Sequence, residues 1–261
     1  MLNSGGEPLL NYWVRQLTFE GSPVQRLVIV TNALYHAQFQ TWLTDYQSAR
    51  LETSNSIPIE LICDNTTCND QRIGAVGDIM LGVSRSGQLP LPCHASELYL
   101  EMPWIIIAGD TLFLSDFSLP EICASYQELS SVDKAVSSCL VYHCREDEVP
   151  KRAILEVDTA TGEVQSFREK PATLETKSRL ACPPFYVLSS AAVENLLAFC
   201  EEKQESPLSE RDAPGKFVAW LLEKKVCPLR AHHISGRWDV GGLDDYQRCN
   251  AFFMGSTDSV N

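Results

Sequence analysis

Asp110 is a carboxylate placed where a strand is predicted to end. It follows the run W-I-I-I-A-G (104–109), whose three consecutive isoleucines form an apolar stretch that is too short for a helix and typical of a strand covered on both faces. Ligands of open α/β sheets bind at the carboxyl ends of the strands, so a carboxylate directly after the small, flexible Gly109 is a candidate metal ligand. The alternative is that Gly-Asp is only a turn signal. Partners from elsewhere in the chain must decide between the two interpretations.

Two later positions offer such partners. Glu169 and Lys170 are followed by a stiffening proline, and Asp239 lies in R-W-D-V-G-G (237–242). Two carboxylates from different segments can share Mg²⁺, which prefers a few carboxylate oxygens together with substrate phosphate oxygens. A lysine held beside a proline can offer a point charge to a phosphate. The set fits phosphoryl or nucleotidyl transfer, although each member alone has a structural alternative: a solvated turn at Glu169-Lys170 and a helix cap at Asp239.

The elements that must position these residues alternate between strand and helix. This order predicts the α/β class, with a parallel sheet covered by helices, and 261 residues allow one sizeable domain or two small ones. A hairpin with strands at 153–157 and 163–167 precedes Glu169, and L-P-L-P (89–92) indicates a linker. The predicted helices are 8–17, 36–50, one from 73, 119–129, 191–202, 216–225 and one from 243, and the other predicted strands are 27–30, 57–63, 104–107, 135–141 and 180–188.

Composition limits the classes of function. The chain has 21 basic and 34 acidic residues among 261, a net charge of −13, which argues against non-specific binding to nucleic acid or to an anionic membrane. No run approaches the roughly 18 apolar residues of a membrane span, and the start lacks the pattern of a signal peptide. We therefore expect a soluble, cytoplasmic protein whose phosphate-bearing ligands are met by local cations or a metal.

Ten cysteines are distributed along the chain, many of them inside apolar runs such as S-S-C-L-V-Y (137–142). No C-x-x-C spacing occurs, so reduced, buried thiols are favoured over a disulfide framework or a zinc site. Cys63 and Cys68 flank a polar loop and are the pair that could bridge. His232-His233 is an alternative metal site, but it lacks carboxylate or cysteine partners at ligand spacing.

Five motifs occur in a recognisable order. They are D-N-T-T-C-N-D-Q-R-I-G-A-V-G-D-I (64–79), I-I-A-G-D-T-L-F (106–113), F-R-E-K-P (167–171), P-P-F-Y-V-L (183–188) and R-W-D-V-G-G-L-D-D-Y (237–246). Together they resemble the sugar-1-phosphate nucleotidylyltransferases, the pyrophosphorylase-type enzymes that make nucleotide-diphospho-sugars. Each motif alone is a weak signal, but the resemblance covers essentially the whole chain. It implies one α/β domain over residues 1–261, with a three-layer, Rossmann-like, mixed but mostly parallel sheet covered by helices.

The resemblance implies a metal site and a reaction. Asp110 and Asp239 match the two aspartates that hold the catalytic Mg²⁺ in that family. The implied reaction is attack by the phosphate oxygen of a sugar-1-phosphate on the α-phosphorus of an NTP, with pyrophosphate leaving.

The resemblance also implies substrate contacts. Lys170 matches the lysine that contacts the sugar phosphate, and Glu169 the glutamate that hydrogen-bonds sugar hydroxyls. Gly74 corresponds to backbone close to the nucleobase, and Gly109 to the glycine before the metal aspartate. The implied partners are an NTP and a sugar-1-phosphate. A second copy of the chain and a full-length paralogue stay open as further partners.

The N-terminus departs from the family pattern. Members begin with a strand and a glycine-rich loop, roughly G-G-x-G-T-R-L-x-P-L-T, whereas G-G-E-P-L-L-N-Y-W (5–13) aligns with a later family segment. We therefore expect the first strand and the phosphate loop to be missing, a slot in the sheet, and weak NTP binding. Three functions stay open: a Mg²⁺-dependent nucleotidylyltransferase, a non-catalytic truncated isoform or pseudoenzyme that acts as a binding or regulatory partner, and a related transferase that uses nucleotide-sugars.

Overall fold

The computed structural model describes residues 3–4, 7–49, 57–85, 102–114 and 116–255, so the predicted linker at 89–92 lies outside the described residues. The helices of this part are α1 Leu9–Leu17, α2 His36–Ala49, α3 Ala75–Arg85, α4 Leu119–Val132, α5 Ser190–Glu194, α6 Leu196–Glu202, α7 Pro214–Glu223 and α8 Leu243–Gly255. Its strands are β1 Asn3–Ser4, β2 Glu7–Pro8, β3 Leu27–Thr31, β4 Ile59–Cys63, β5 Trp104–Ile107, β6 Thr111–Phe113, β7 Ser137–His143, β8 Ala153–Val157, β9 Val164–Glu169, β10 Leu180–Cys182, β11 Phe185–Leu188, β12 Leu229–His233 and β13 Arg237–Asp239. None of the helices described is both long and apolar enough to cross a membrane.

Seven strands form the central sheet, in the order β5-β11-β7-β10-β8-β9 with β12 beside β7. Within this sheet β12 and β7 pair in parallel, and the other named pairings are antiparallel. The prediction of a mostly parallel sheet is therefore wrong. The reason is that β8 and β9 form a hairpin, and that only two residues connect β10 to β11. A parallel pair needs a crossover of a dozen or more residues.

Parallel pairing occurs where the chain provides such a crossover. Strands β3 and β4 pair in parallel from Leu27↔Ile59 to Thr31↔Cys63, with α2 between them in sequence. This unit confirms the strand–helix–strand alternation predicted for the first part of the chain. It pairs separately from the central sheet among the described residues.

The predicted strand at 180–188 is two strands. Pro183 and Pro184 separate β10 from β11, because a proline has no N–H to donate to a strand ladder. Both strands nevertheless pair with β7, at Ala181↔Tyr142 and Tyr186↔Cys139.

Both faces of the central sheet are buried. Along β7, Cys139 and Val141 join a core with α3, α6 and α7, whereas Leu140 and Tyr142 join a core with α1 and α4. Successive side chains of a strand point to opposite faces, so the sheet lies between two helical layers. This confirms the prediction of a sheet covered by helices.

Candidate functional site

A cleft of about 1200 Å³ brings together residues from distant parts of the chain. Asp110, Glu169, Lys170 and Asp239 all line it, although nearly 130 positions separate the first from the last. The apolar side of the cleft is formed by β3, which belongs to the two-stranded β3–β4 sheet, and by β5, which is an edge strand of the central sheet. Tertiary structure therefore assembles four of the six predicted site residues in one place.

Asp110 and Asp239 are neighbours because β6 and β13 pair. Asp239 lies opposite Thr111 in the antiparallel register, and the Val240 N–H donates to the Asp110 carbonyl oxygen at 3.0 Å. The indole N–H of the buried Trp13 donates to the Thr111 carbonyl oxygen at 2.9 Å and anchors β6 from the helical side. Burial in the cleft, followed by the negative charge of Asp239, raises the pKa of Asp110 above its ordinary value.

Two arginines neutralise Asp239. Arg152 Nη1 lies 2.6 Å and Arg237 Nη2 lies 3.1 Å from the same oxygen, Asp239 Oδ2. Burial alone would raise the pKa of Asp239, but Arg237 and Arg152 outweigh it and hold the pKa below its ordinary value. At neutral pH the carboxylate is therefore ionised and already paired.

Lys170 directly follows β9 and has an unusual backbone conformation. Its φ is +50°, in the left-handed region that L-residues rarely adopt, and its N–H donates to the Arg152 carbonyl oxygen at 3.0 Å. This bond fixes Lys170 beside Arg152, so two cations line the same part of the cleft. A site with two adjacent cations can bind a phosphate.

Glu169 lies against the start of α7. A Cβ added at Gly215 would overlap the Glu169 carboxylate and would lie 2.9 Å from the Phe167 ring, so glycine is needed there for the carboxylate to fit. Burial raises the pKa of Glu169, partly offset by the charges of Lys170 and Lys216.

Comparisons with known proteins bear on the fold. No family model matches the sequence, and no curated protein matches it with significance. Solved structures do match: an apo UDP-glucose pyrophosphorylase (TM-score 0.72, 17% identity, 98% of this chain and 90% of that one) and a putative glucose-1-phosphate thymidylyltransferase from Bacillus anthracis (0.68, 17%, 100% and 86%). A UTP-bound UGPase from Acinetobacter baumannii also matches (0.66, 15%, 100% and 91%). The chain has the fold of the sugar-1-phosphate nucleotidylyltransferases. The resemblance seen in the sequence is thereby confirmed at the level of the fold.

In this nucleotidylyltransferase fold, Asp110 and Asp239 have the donor chemistry for a hard cation. Each offers carboxylate oxygens. Burial and the negative charge of Asp239 raise the pKa of Asp110, and a bound divalent cation would offset both effects by stabilising the charged carboxylate. The described residues contain no group of three or more His, Cys, Asp or Glu side chains that could hold a metal. His232-His233 is therefore not part of such a group among them. Two protein ligands fit Mg²⁺, since Mg²⁺ retains waters and takes substrate phosphate oxygens for its remaining positions.

The two predicted glycines lie beside the cleft rather than on its lining. Gly109 precedes Asp110, and a Cβ there would meet nothing within 4 Å. Gly74 is buried with φ +84°, and its added Cβ would lie only 2.7 Å from the Arg211 carbonyl oxygen. That same carbonyl accepts the Val76 N–H at 3.1 Å, so Gly74 lets the start of α3 dock on the segment before α7.

Asp78 is a further acidic residue on the cleft that the sequence did not single out. Burial, then the charges of Asp64 and Asp212, raise its pKa to about 6. Its Oδ1 is buried and has no hydrogen-bond partner among the described residues. Its position in the first turn of α3, directly after the G-A-V-G run, was the available signal.

Arg152, Arg237 and Gly215 were also missed. Arg237 could have been found, because it lies two residues before Asp239 and residues two apart in a strand share a face. Arg152 and Gly215 carry no local signal, since their partners Asp239 and Glu169 are 87 and 46 positions away.

The described cysteines carry no disulfide. Cys63 and Cys68 are both free thiols, and Cys93 lies outside the described residues. Five of the nine described cysteines are buried, which agrees with packing as small apolar residues.

Proposed function

We propose that this chain catalyses Mg²⁺-dependent transfer of a nucleotidyl group from an NTP to a sugar-1-phosphate. The observation that carries the proposal is the meeting of Asp110 and Asp239 with Lys170 and Arg152 in one cleft of about 1200 Å³. That volume exceeds the usual upper range of a site for one drug-sized ligand, roughly 1000 Å³, and suits two substrates side by side. Solved structures of the same fold include UDP-glucose pyrophosphorylase complexed with UDP-glucose and UTP-bound UGPase, which supports a nucleotide and a sugar as the ligands.

The proposed reaction is an in-line displacement at phosphorus. A phosphate oxygen of the sugar-1-phosphate attacks the α-phosphorus of the NTP, the bond from the α-phosphorus to the bridging oxygen breaks, and pyrophosphate leaves with that electron pair. No covalent protein intermediate is needed, because positioning and charge neutralisation supply most of the rate. Bound Mg²⁺, held by Asp110 and Asp239, would neutralise charge on the phosphate oxygens.

The other cleft residues act on the sugar-phosphate side. The backbone of Lys170 is fixed by its hydrogen bond to Arg152, and its ammonium group can donate hydrogen bonds to the phosphate of the sugar. Glu169, held against Gly215, offers carboxylate oxygens to sugar hydroxyls. Binding the sugar at Glu169 and its phosphate at Lys170 would orient the attacking oxygen.

Pyrophosphate release tests the proposal. Purified chain is assayed with each of the four NTPs, each paired with common hexose-1-phosphates, in the presence and absence of Mg²⁺. We expect release with at least one pair, dependent on Mg²⁺ and reduced about 100-fold or more in Asp110→Asn. Asp147→Asn is the matched control, because Asp147 is an exposed carboxylate outside the cleft and should retain full activity.

A negative result separates two functions. No turnover by folded protein with any pair overturns the enzyme proposal. Binding of an NTP with Mg²⁺ under those conditions, measured by calorimetry, would then support a binding or regulatory role instead.

A further inference from the structure

Arg152 contacts both Asp239 and Lys170, which lie on the metal side and the phosphate side of the cleft in the proposed function. Its side chain donates to Asp239, the candidate metal ligand, at 2.6 Å. Its backbone carbonyl accepts the N–H of Lys170, the candidate phosphate ligand, at 3.0 Å. The guanidinium is therefore attached to the metal side, whereas the backbone of the same residue is attached to the phosphate side.

The two arginines on Asp239 differ in how firmly they are held. The Arg237 side chain is 7% exposed and also donates to Thr111 Oγ1 at 3.2 Å, which fixes it in place. The Arg152 side chain is 21% exposed, and its other ion pair, to Glu148 Oε1, is a longer contact of 3.5 Å. Arg152 is thus the partner that can leave Asp239 at the lower cost.

Arg152 and a divalent cation compete for the same charge. Both arginines donate to Asp239 Oδ2, and a cation binding that carboxylate would be repelled by each of them. Among the described residues, the buried Nε atoms of Arg152 and Arg237 both lack an acceptor, so neither guanidinium is fully satisfied, and the side chain of Arg152 is the more exposed of the two. A phosphate can accept two parallel N–H bonds from a guanidinium and would satisfy more of its donors.

We propose that Arg152 has two alternative partners: it holds Asp239 while the cleft is empty, and it turns to a substrate phosphate when a divalent cation takes Asp239. The inference rests on the proposed function, because it assigns the metal to Asp239 and the phosphate to the neighbourhood of Lys170. The hydrogen bond from the Lys170 N–H to the Arg152 carbonyl oxygen keeps the Arg152 side chain within reach of that phosphate in both positions. Metal and phosphate then bind with positive coupling, since each stabilises the arrangement that the other needs.

The proposal predicts opposite effects of one substitution. In Arg152→Gln, Mn²⁺ alone, followed by electron paramagnetic resonance, should bind about 3-fold to 10-fold more tightly, because a partly exposed competing ion pair is gone. Inorganic phosphate, followed by calorimetry at the same ionic strength and in the presence of saturating Mn²⁺, should bind about 5-fold or more weakly. Arg152→Lys retains the charge without the planar fork and should fall between Arg152→Gln and wild type in both measurements.

Arg145→Gln is the matched control. Arg145 is seven positions earlier, its side chain is 76% exposed, and it pairs with Asp147 outside the cleft. The same loss of one positive charge should leave both affinities within about twofold of wild type. Urea unfolding of every variant establishes that it is folded, and Arg152→Lys carries the test if Arg152→Gln does not fold.

Other outcomes overturn the proposal. A purely structural arginine would orient Asp239 for the metal, so Mn²⁺ would bind Arg152→Gln more weakly than wild type. Unchanged affinity for either probe also contradicts it. If Arg152→Gln binds Mn²⁺ more tightly and phosphate more weakly but the wild-type chain shows no turnover, the two positions of Arg152 stand and only the enzyme function is overturned. If the chain shows turnover but these two affinities do not shift in opposite directions, the enzyme function stands and the two positions of Arg152 are overturned. Wild-type protein that binds neither probe contradicts both.

Discussion

The backbone N–H of Val240 donates to the carbonyl oxygen of Asp110 at 3.0 Å, and this bond links two acidic motifs that are far apart in the sequence. It continues the antiparallel pairing of β6 with β13, which sets Asp239 opposite Thr111. The two carboxylates are therefore held together by backbone pairing rather than by a flexible loop. Their surroundings differ, since Asp239 is paired with two arginines whereas burial and the negative charge of Asp239 raise the pKa of Asp110.

Replacing Asp239 should lower the stability of the protein, whereas replacing Asp110 should not. Asp239→Asn leaves the buried Arg237 without its charge partner, so the free energy of unfolding should fall by about 1–3 kcal/mol. Asp110→Asn removes repulsion from Asp239, so the free energy of unfolding should stay unchanged or rise by up to about 1 kcal/mol. Urea unfolding at neutral pH without metal measures both. Equal losses in the two variants would contradict this account of the site.

Lys170 should contribute through its charge and not through its backbone conformation. Lys170→Ala and Lys170→Gly both remove the cation, and both should weaken binding of inorganic phosphate about 5-fold or more. Only Lys170→Gly relieves the left-handed strain at φ +50°, so it should be as stable as Lys170→Ala or up to about 1 kcal/mol more stable.

Lys225→Gly provides the control for backbone strain, because Lys225 has φ +55° and does not line the cleft. It should change the midpoint of urea unfolding without changing phosphate affinity. Retained phosphate binding in Lys170→Gly would show that the Lys170 side chain is not a ligand.

Gly74 should be sensitive to a single methyl group. Gly74→Ala places a Cβ 2.7 Å from the Arg211 carbonyl oxygen and also has φ +84°, so it combines a steric clash with backbone strain. Gly21→Ala has φ +78° but nothing within 4 Å of its Cβ, so it reports strain alone.

The difference between these two variants isolates the clash at α3. We expect Gly21→Ala to cost about 1 kcal/mol and Gly74→Ala about 1–3 kcal/mol more, measured by urea unfolding. Equal costs would mean that α3 moves away from Arg211 freely.

Asp78 should make stability depend on pH. Its folded-state pKa of about 6 lies above the unperturbed 3.8, so the folded chain binds more protons than the unfolded chain between these values. Stability should therefore fall as pH rises from about 4 to about 6, with the full penalty present above that range. Asp78→Asn should be more stable than wild type at pH 7.5 by about 1–2 kcal/mol after solvent screening, and the difference should vanish below about pH 4. Parallel stability curves for the two proteins between pH 4 and 7 would refute the assignment.

The sequence by itself determined the local elements. Isoleucines at 105–107 form a strand because a short β-branched run fits a buried strand, and α1 buries Leu9, Trp13 and Leu17 because they recur at helical spacing. The hairpin β8–β9 follows from alternation around a glycine-containing loop. These features depend on neighbours in the sequence, so they could be predicted before the fold was known.

Only the tertiary structure decided how the strands pair and what surrounds the carboxylates. Periodicity identifies a strand but not its direction relative to a distant one, so the antiparallel pairing of β11 with β5 and β7 could not be predicted. The contact of Arg152 with Asp239 depends on the start of β8 and the end of β13 lying at one cleft. The space for Glu169 depends on α7 presenting Gly215 to β9. Motif order indicated the candidate residues, four of which line one cleft. Whether each of their charges is neutralised, repelled or buried depends on groups dozens of positions away, which only folding brings within a few ångströms.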